Sequence, residues 1–399
     1  MRTMTLTLAV TALLAAAPVA EAQNPHLDRV RRILSETPLF DGHNDLPWAI
    51  RTYDAAPGDV AAYGLRGETP GHTDIPRLQA GMVGAQFWSV YIPYSAVEEG
   101  AAKVQLEQID IANRIFQLHP DVFEQARTAS DVERIFGEGK IASILGMEGG
   151  HAIENSLGAL RAFYAMGVRY MTLTHSNNID WADSCCEPAE HGGLTEFGKE
   201  VVREMNRLGM IVDLSHVSPE TMHDALDVAE APVLFSHSSA RAVTDHPRNV
   251  PDDVLRRLPE NGGVVMITFV PSFINEDVMK WGALPREERE RTPQPRATME
   301  DVIRHIEHVR KVAGIDHVGI GADYDGISTV PVGLEDVSTY PALFAERARR
   351  GWTDEELRKL AGENVLRVMR EVEAAARRIQ RERGPSTKTI QELDGRVVS

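Results

Sequence analysis

Cysteine is nearly missing from this chain: two occur in 399 residues, and they are neighbours, Cys185 and Cys186. A disulfide framework is therefore excluded, and a hydrophobic core with any bound metal must hold the fold. The pair itself leaves three arrangements open: a vicinal disulfide, two free thiols, or a bridge between chains. Basic residues are also in deficit. With 42 Lys and Arg against 59 Asp and Glu, the chain carries a formal charge of -17, which repels phosphate backbones and anionic membrane surfaces at long range. Nucleic acid is not an expected partner. Internal repeats and low-complexity tracts are lacking, and with 43% hydrophobic and 25% charged residues the composition is that of a globular protein rather than a collagenous, disordered or coiled-coil one.

Long apolar runs are confined to the first 22 residues. There Arg2 supplies positive charge, Leu6 to Ala17 is mostly apolar, and Ala20-Glu21-Ala22 has the small-x-small form of a cleavage site, so residues 1–22 are expected to be a signal peptide. Pro18 and Glu21 interrupt the run short of the roughly 20 apolar residues needed to cross a bilayer. The end of the chain, Leu393 to Ser399, lacks the hydrophobic tail of a lipid-anchor signal. These features predict a secreted or periplasmic protein with residues 23–399 as one domain and no insertion into the membrane after signal removal.

Eight short apolar runs alternate with helical periodicity: Pro38 to Asp45, Gly84 to Ile92, Ile141 to Glu148, Tyr170 to His175, Met210 to His216, Pro232 to His237, Gly263 to Val270 and His317 to Asp323. Helix starts are marked by Thr298 with Asp301 and by Ser218-Pro219-Glu220, a capping box and a proline-led first turn. Strands alternating with helices imply parallel crossovers, and eight units predict an α/β fold closed as a (β/α)8 TIM-type barrel. A doubly wound open sheet is the alternative. Leu366 to Arg383 reads as a C-terminal helical extension with a frayed polar tail. Two connections exceed the usual few residues, Leu46 to Gly81 and Pro271 to Arg296. Both leave the carboxyl ends of strands, where barrel active sites lie, so each is either a solvated insertion or a cover over the site.

The same strand ends carry polar ligand-type residues: His43 and Asp45, Glu148, His175, His216, His237 and Asp323. His43 and Asp45 are two apart, which on a strand gives one face; so are Val212, Leu214 and His216, and Val233, Phe235 and His237. Buried polar groups at several strand ends need partners, and a metal satisfies several together. His43 with Asp45 suits one ion, His216 with His237 a second, and Glu148 has two oxygens with which to bridge them. Imidazole and carboxylate suit zinc. Two ions roughly 3.5–4 Å apart bind a hydroxide between them and polarise a carbonyl, which is hydrolytic chemistry. Of the 14 histidines, His26, His72, His119, His191, His223, His305 and His308 fit surface or hydrogen-bonded roles, and His151, His246 and His317 lie off the inward face.

Seven segments in this order resemble the zinc-dependent membrane or renal dipeptidases, amidohydrolase-like metallopeptidases. They are Asp41-Gly42-His43-Asn44-Asp45, Gly146-Met147-Glu148-Gly149-Gly150-His151, Leu173-Thr174-His175-Ser176-Asn177, Val212-Asp213-Leu214-Ser215-His216-Val217-Ser218, Phe235-Ser236-His237-Ser238-Ser239-Ala240, Arg248-Asn249-Val250-Pro251-Asp252-Asp253 and Gly319-Ile320-Gly321-Ala322-Asp323-Tyr324-Asp325-Gly326. The resemblance runs from about Asp41 to Arg367. It implies a homodimeric barrel with two Zn2+ per chain that hydrolyses dipeptides bearing a free C-terminal carboxylate, L,D-dipeptides included, by attack of a zinc-bridging hydroxide. Matched residue by residue, it makes His43, Asp45, Glu148, His216 and His237 the metal ligands. It makes His175 and Arg248 the groups that bind the oxyanion and the substrate carboxylate, and Asp323 the acid/base for the leaving amine. Mammalian members carry an aromatic hydroxyl at the position aligned with Phe273, and the loop Ala182 to Gly193 has no matched counterpart. The competing expectations are a related barrel amidohydrolase acting on β-lactams or other cyclic amides, and a binding protein that kept the fold.

Overall fold

The computed structural model describes residues 24–395, so the signal peptide expected at 1–22 lies outside the described residues. Nine parallel strands form one sheet: β1 Leu39–Asn44, β2 Val83–Ser89, β3 Phe123–Gln125, β4 Ile141–Glu148, β5 Val168–Thr172, β6 Ile211–Asp213, β7 Leu234–Ser238, β8 Val264–Ile267 and β9 Val318–Ile320. Eight follow one another around a ring, which closes because β1 pairs with both β2 and β9 while β2 also pairs with β4. The eight apolar runs are the eight ring strands, and the fold is the expected (β/α)8 barrel rather than an open sheet. The ninth strand, β3, lies against the start of β4. At three residues it is too short to show an alternating pattern, and no run marked it.

Helices return the chain between strands at the predicted caps. Ser218 accepts the Thr221 N–H at 3.2 Å at the head of Pro219–Val228, and the Thr298 N–H donates to the Asp301 carboxylate at 2.7 Å ahead of Met299–Val312. One buried cluster joins strands across the ring through Phe40, Phe87, Ile144, Tyr170 and Met266, with ring centroids 5.0 Å apart for Phe40 and Phe87 and 4.9 Å for Phe87 and Tyr170. Aromatic pairs at such spacing add to the burial of their area.

The strand register is irregular at two places that matter. It shifts between Asp41 and Asn44 where β1 meets β2, and between Phe235 and Ser238 where β7 meets β8. His43 and Ser236-His237 sit inside these irregularities. Such bulges re-aim side chains at barrel rims, so the simple two-residue alternation assumed from the sequence does not apply there.

The chain's end corrects another expectation. After the helix Asn364–Glu382 the tail is docked, not frayed. Arg161 donates to the Ser386 carbonyl at 2.9 Å, the Ser386 N–H donates to Glu204 at 3.3 Å, and the short helix Ile390–Asp394 places Ile390 in the core at 1% exposure. Its polar composition concealed one apolar anchor, backed by the Thr389 N–H donating to Glu392 at 2.9 Å. Ile390→Ala is expected to destabilise the protein by about 2–5 kcal/mol, the cost of emptying a buried aliphatic site. Denaturant unfolding monitored by circular dichroism checks this; a midpoint equal to wild type would show that the tail does not contribute.

Among the described residues no helix is long and apolar enough to cross a membrane.

Candidate metal centre

All eight residues singled out from the sequence meet at the carboxyl end of the barrel. Asp45, Glu148, His175, His216, His237, Arg248 and Asp323 line one cavity of about 370 Å³, at the small end of ligand pockets. His43 lies behind them, with its Nε2 3.2 Å from Asp45 Oδ2 and 3.5 Å from Glu148 Oε2.

Strands and turns divide the positioning between them. His43 and His237 are within β1 and β7, and Glu148 is the last residue of β4. Asp45 opens the helix Leu46–Arg51. His216 and Asp323 correct the sequence picture, because neither is on a pleated strand. Each stands three residues past its strand in the left-handed region, φ 71° and 70°, a conformation costly for residues with a Cβ and associated with functional sites. A turn follows Asp323: Asp325 also has positive φ, and a Cβ on Gly326 would collide with the carboxylates of Asp45 and Asp323. Only glycine lets the backbone pass between those two acids.

Glu148 is the hub. Its Oε1 faces His216 Nε2 at 2.9 Å, His237 Nε2 at 3.3 Å and His175 Nε2 at 3.8 Å, while Oε2 faces His43 and accepts from Ser89 at 3.4 Å. His216 Nε2 and His237 Nε2 are 2.9 Å apart. Three overlapping sets converge closely enough to hold an ion: His43, Glu148 and His237; Glu148, His175 and His216; and His43, Asp45 and Asp323.

A cation fits this donor set. His43 Nε2 and Asp45 Oδ1 are buried without a hydrogen-bond partner, an arrangement that costs free energy unless something else satisfies them. Burial, reinforced by Arg248, holds the pKa of His216 well below the ordinary imidazole value; for His237, burial and then His43 do the same. Both are thereby neutral imidazoles, the form that ligates metals. Burial opposes the charge on Glu148, but the facing histidines, His43 first, outweigh it and keep that carboxyl well below its usual range. Burial likewise disfavours protonated His43, and Tyr170, Glu148 and Asp45 together reverse the effect, raising its pKa.

Asp323 behaves in the opposite sense. Its carboxyl is pushed well above the ordinary range by burial and by the charges of Asp45 and Glu148, with His43 opposing. Arg248 is 3% exposed and lowered to about 10 by burial. It donates to the His237 carbonyl at 3.1 Å and the Ser238 hydroxyl at 3.5 Å, while its Nε is buried without a partner. No carboxylate of the described residues forms an ion pair with it.

The remaining lining was not legible from the sequence, apart from Phe273. Trp48 and Tyr91 pack edge to face at 5.0 Å, Tyr91 lies 4.8 Å from His175, and the Arg248 guanidinium stands 5.2 Å over Phe273. Trp48 comes from the first long connection and Phe273 from the start of the second, next to Val270 at the end of the seventh apolar run. Each long connection is thus a wall of the site at its root, whereas the charge cluster Arg286–Arg291 is an exposed helix with no buried residue.

The loop after His175 is organised by Asp183, whose carboxylate accepts the Glu190, His191 and Gly193 N–H groups near 3.0 Å. Cys185 and Cys186 are bonded to each other, which selects one of the three arrangements left open. The Cys185 N–H donates to the His216 carbonyl at 2.7 Å. Most histidines set aside earlier are occupied elsewhere: His151 by the Ile92 carbonyl, His305 by Ala240 and Ile274, His317 by the Gly263 carbonyl.

Comparison with known proteins gives this geometry a context. Residues 27–383 match the family model of membrane dipeptidases, peptidase family M19. Among solved structures, a probable dipeptidase, PvdM, from Pseudomonas aeruginosa shares the fold at 24% identity, with a TM-score of 0.77 over 88% of this chain and 99% of that one. A metallopeptidase of family M19, dipeptidase AC, is 30% identical, with a TM-score of 0.74 over 84% of this chain and 99% of its own. A metallopeptidase from Rhodobacter sphaeroides, solved with a phosphinate mimic of the dipeptide L-Ala-D-Ala, is 29% identical, with a TM-score of 0.73 and the same coverage. With the family model spanning nearly all the described residues, the chain belongs to the membrane dipeptidase family, peptidase family M19, and is a metallodipeptidase.

Proposed function

We propose that the protein is an exported dipeptidase with two zinc ions per chain, acting on dipeptides with a free C-terminal carboxylate, L,D-dipeptides among them. The observation that carries this reading is the position of Glu148, whose two oxygens face different histidine groups across a cavity that also holds a buried arginine without an acidic partner. His43 and Asp45 would hold one ion, His216 and His237 the other, with Glu148 between them. Ions bound there supply Lewis acidity toward the scissile carbonyl and activate water at neutral pH.

The chain's own groups divide the remaining work. Arg248 grips the substrate carboxylate, fixing the peptide's direction in the cavity. His175, whose pKa burial lowers, presents a neutral ring that donates to the carbonyl oxygen as negative charge develops there. Asp323 takes a proton from the attacking water and delivers it to the leaving amine; its raised pKa suits a group that must hold a proton between those events. Trp48, Tyr91 and Phe273 exclude water from the reacting centre. The phosphinate mimic of L-Ala-D-Ala bound by the Rhodobacter relative supports tolerance of a D-residue in the second position.

Elemental analysis of dialysed protein is expected to give two zinc ions per chain, and chelation should abolish hydrolysis of a panel of L,L- and L,D-dipeptides until zinc is restored. One ion per chain at full activity would overturn the bridging role of Glu148.

A further inference from the structure

Behind the ligand histidines lies a layer of polar groups that the reaction does not use. Asp213, the last residue of β6, is fully buried and surrounded by donors. Its Oδ1 accepts the backbone N–H of Ser236 at 2.8 Å and of Ser215 at 3.2 Å. Its Oδ2 accepts the hydroxyls of Ser236 at 2.7 Å and Thr172 at 2.5 Å. The Ser236 Oγ is in turn 2.8 Å from His237 Nδ1.

The proton assignments follow from counting donors. Burial raises the Asp213 pKa and its four donors oppose that rise; in the ionised form the carboxylate only accepts, so the single hydroxyl hydrogen of Ser236 is committed to it. Toward His237 the Ser236 oxygen can then only accept. His237 Nδ1 must therefore carry the ring proton, which leaves Nε2 as a bare lone pair facing Glu148 Oε1 and His216 Nε2. His43 shows a parallel arrangement: its Nδ1 is 2.8 Å from the Tyr170 hydroxyl, which donates to the Gly42 carbonyl at 3.4 Å. Gly146 makes room for that tyrosine, since a Cβ there would collide with its ring.

We propose that Asp213, acting through Ser236, is a positioning residue that fixes the tautomer and orientation of His237, so that its Nε2 is available to a metal ion before any ion arrives. This rests on the reading of His237 as a ligand. Outer groups of this kind orient metal-binding histidines and raise their basicity.

The decisive variant is Asp213→Asn, which keeps the shape and reverses the polarity. Its oxygen must stay on the two backbone N–H groups, so its NH2 faces the Ser236 and Thr172 hydroxyls. Ser236 Oγ then accepts from Asn and turns its hydrogen toward His237 Nδ1, which drives the ring proton to Nε2. A role in packing alone would survive this near-isosteric change; a role in fixing the tautomer would not. Zinc affinity, measured by competition with a chromophoric chelator, is expected to fall about 10- to 100-fold at one of the two sites. Ser236→Ala should weaken the same site. Unchanged affinity in both variants would overturn the proposal.

Should the variants fail to fold, wild type decides the matter. In zinc-free protein with 15N-labelled histidine, the His237 ring proton is expected on Nδ1; a proton on Nε2 overturns the assignment. A wild-type protein that takes up no zinc would instead overturn the metal reading, while the tautomer measurement would still judge the relay.

Discussion

Replacing Asp323 by asparagine is expected to leave the two proposed zinc ions in place and to lower kcat by about 10²- to 10⁴-fold, the usual contribution of general acid/base catalysis. The amide has nearly the same shape but can neither accept a proton from water nor hand one to an amine. The surroundings raise the proton affinity of this carboxyl: it is buried, and Asp45 and Glu148 add negative charge beside it. One competing role is built into the geometry, since Asp323 converges with His43 and Asp45 closely enough to share an ion. Zinc content measured alongside kcat separates the two. An inactive variant with two ions supports the acid/base role, whereas loss of one ion would make Asp323 a ligand.

The barrel was legible because burial on both faces leaves a mark: each ring strand is a short apolar run between helical segments, and eight such runs close a ring. The candidate metal centre was legible because Glu148, His43 and His237 interrupt those runs at their ends. What escaped has physical reasons. The strand pattern was carried too far at His216 and Asp323, which lie in left-handed turns; a backbone turn of that sign has no apolar signature. Asp213 and Ser236 appeared inside the matched segments, yet alternation assigned them no partner. Their contacts depend on the register shift between Phe235 and Ser238 and on the pairing of β6 with β7, which brings Asp213 beside the start of β7. Trp48 and Tyr91 are aromatic residues in connections, where nothing local distinguishes a cavity wall from an ordinary packing contact.

Arg248 carries the other large expected effect: removing it should abolish the enzyme's preference for a free carboxylate. The chain's formal charge of -17 repels an anionic dipeptide end at long range, so recognition needs a specific cationic partner inside the site. Arg248 is suited to that part. It is buried, its Nε has no hydrogen-bond partner, and among the described residues its side-chain hydrogen bonds go to the His237 carbonyl and the Ser238 hydroxyl. A buried guanidinium without an acid is costly to maintain, and an incoming carboxylate would relieve that cost. Its planar fork can present paired donors to both carboxylate oxygens, a geometry that lysine does not reproduce. Hydrogen bonds to charged groups contribute about 1.5–3 kcal/mol, so Arg248→Ala and Arg248→Lys are expected to lower kcat/KM by about 10- to 150-fold. Because Arg248 also holds the His237 carbonyl, zinc content must be measured in each variant. The sharper test compares one dipeptide with its C-terminal amide. Wild type should prefer the acid strongly, and the alanine variant with both ions retained should hydrolyse the two at similar rates. An undiminished preference in that variant would place carboxylate recognition elsewhere in the cavity, with His175 the next hydrogen-bond donor to remove.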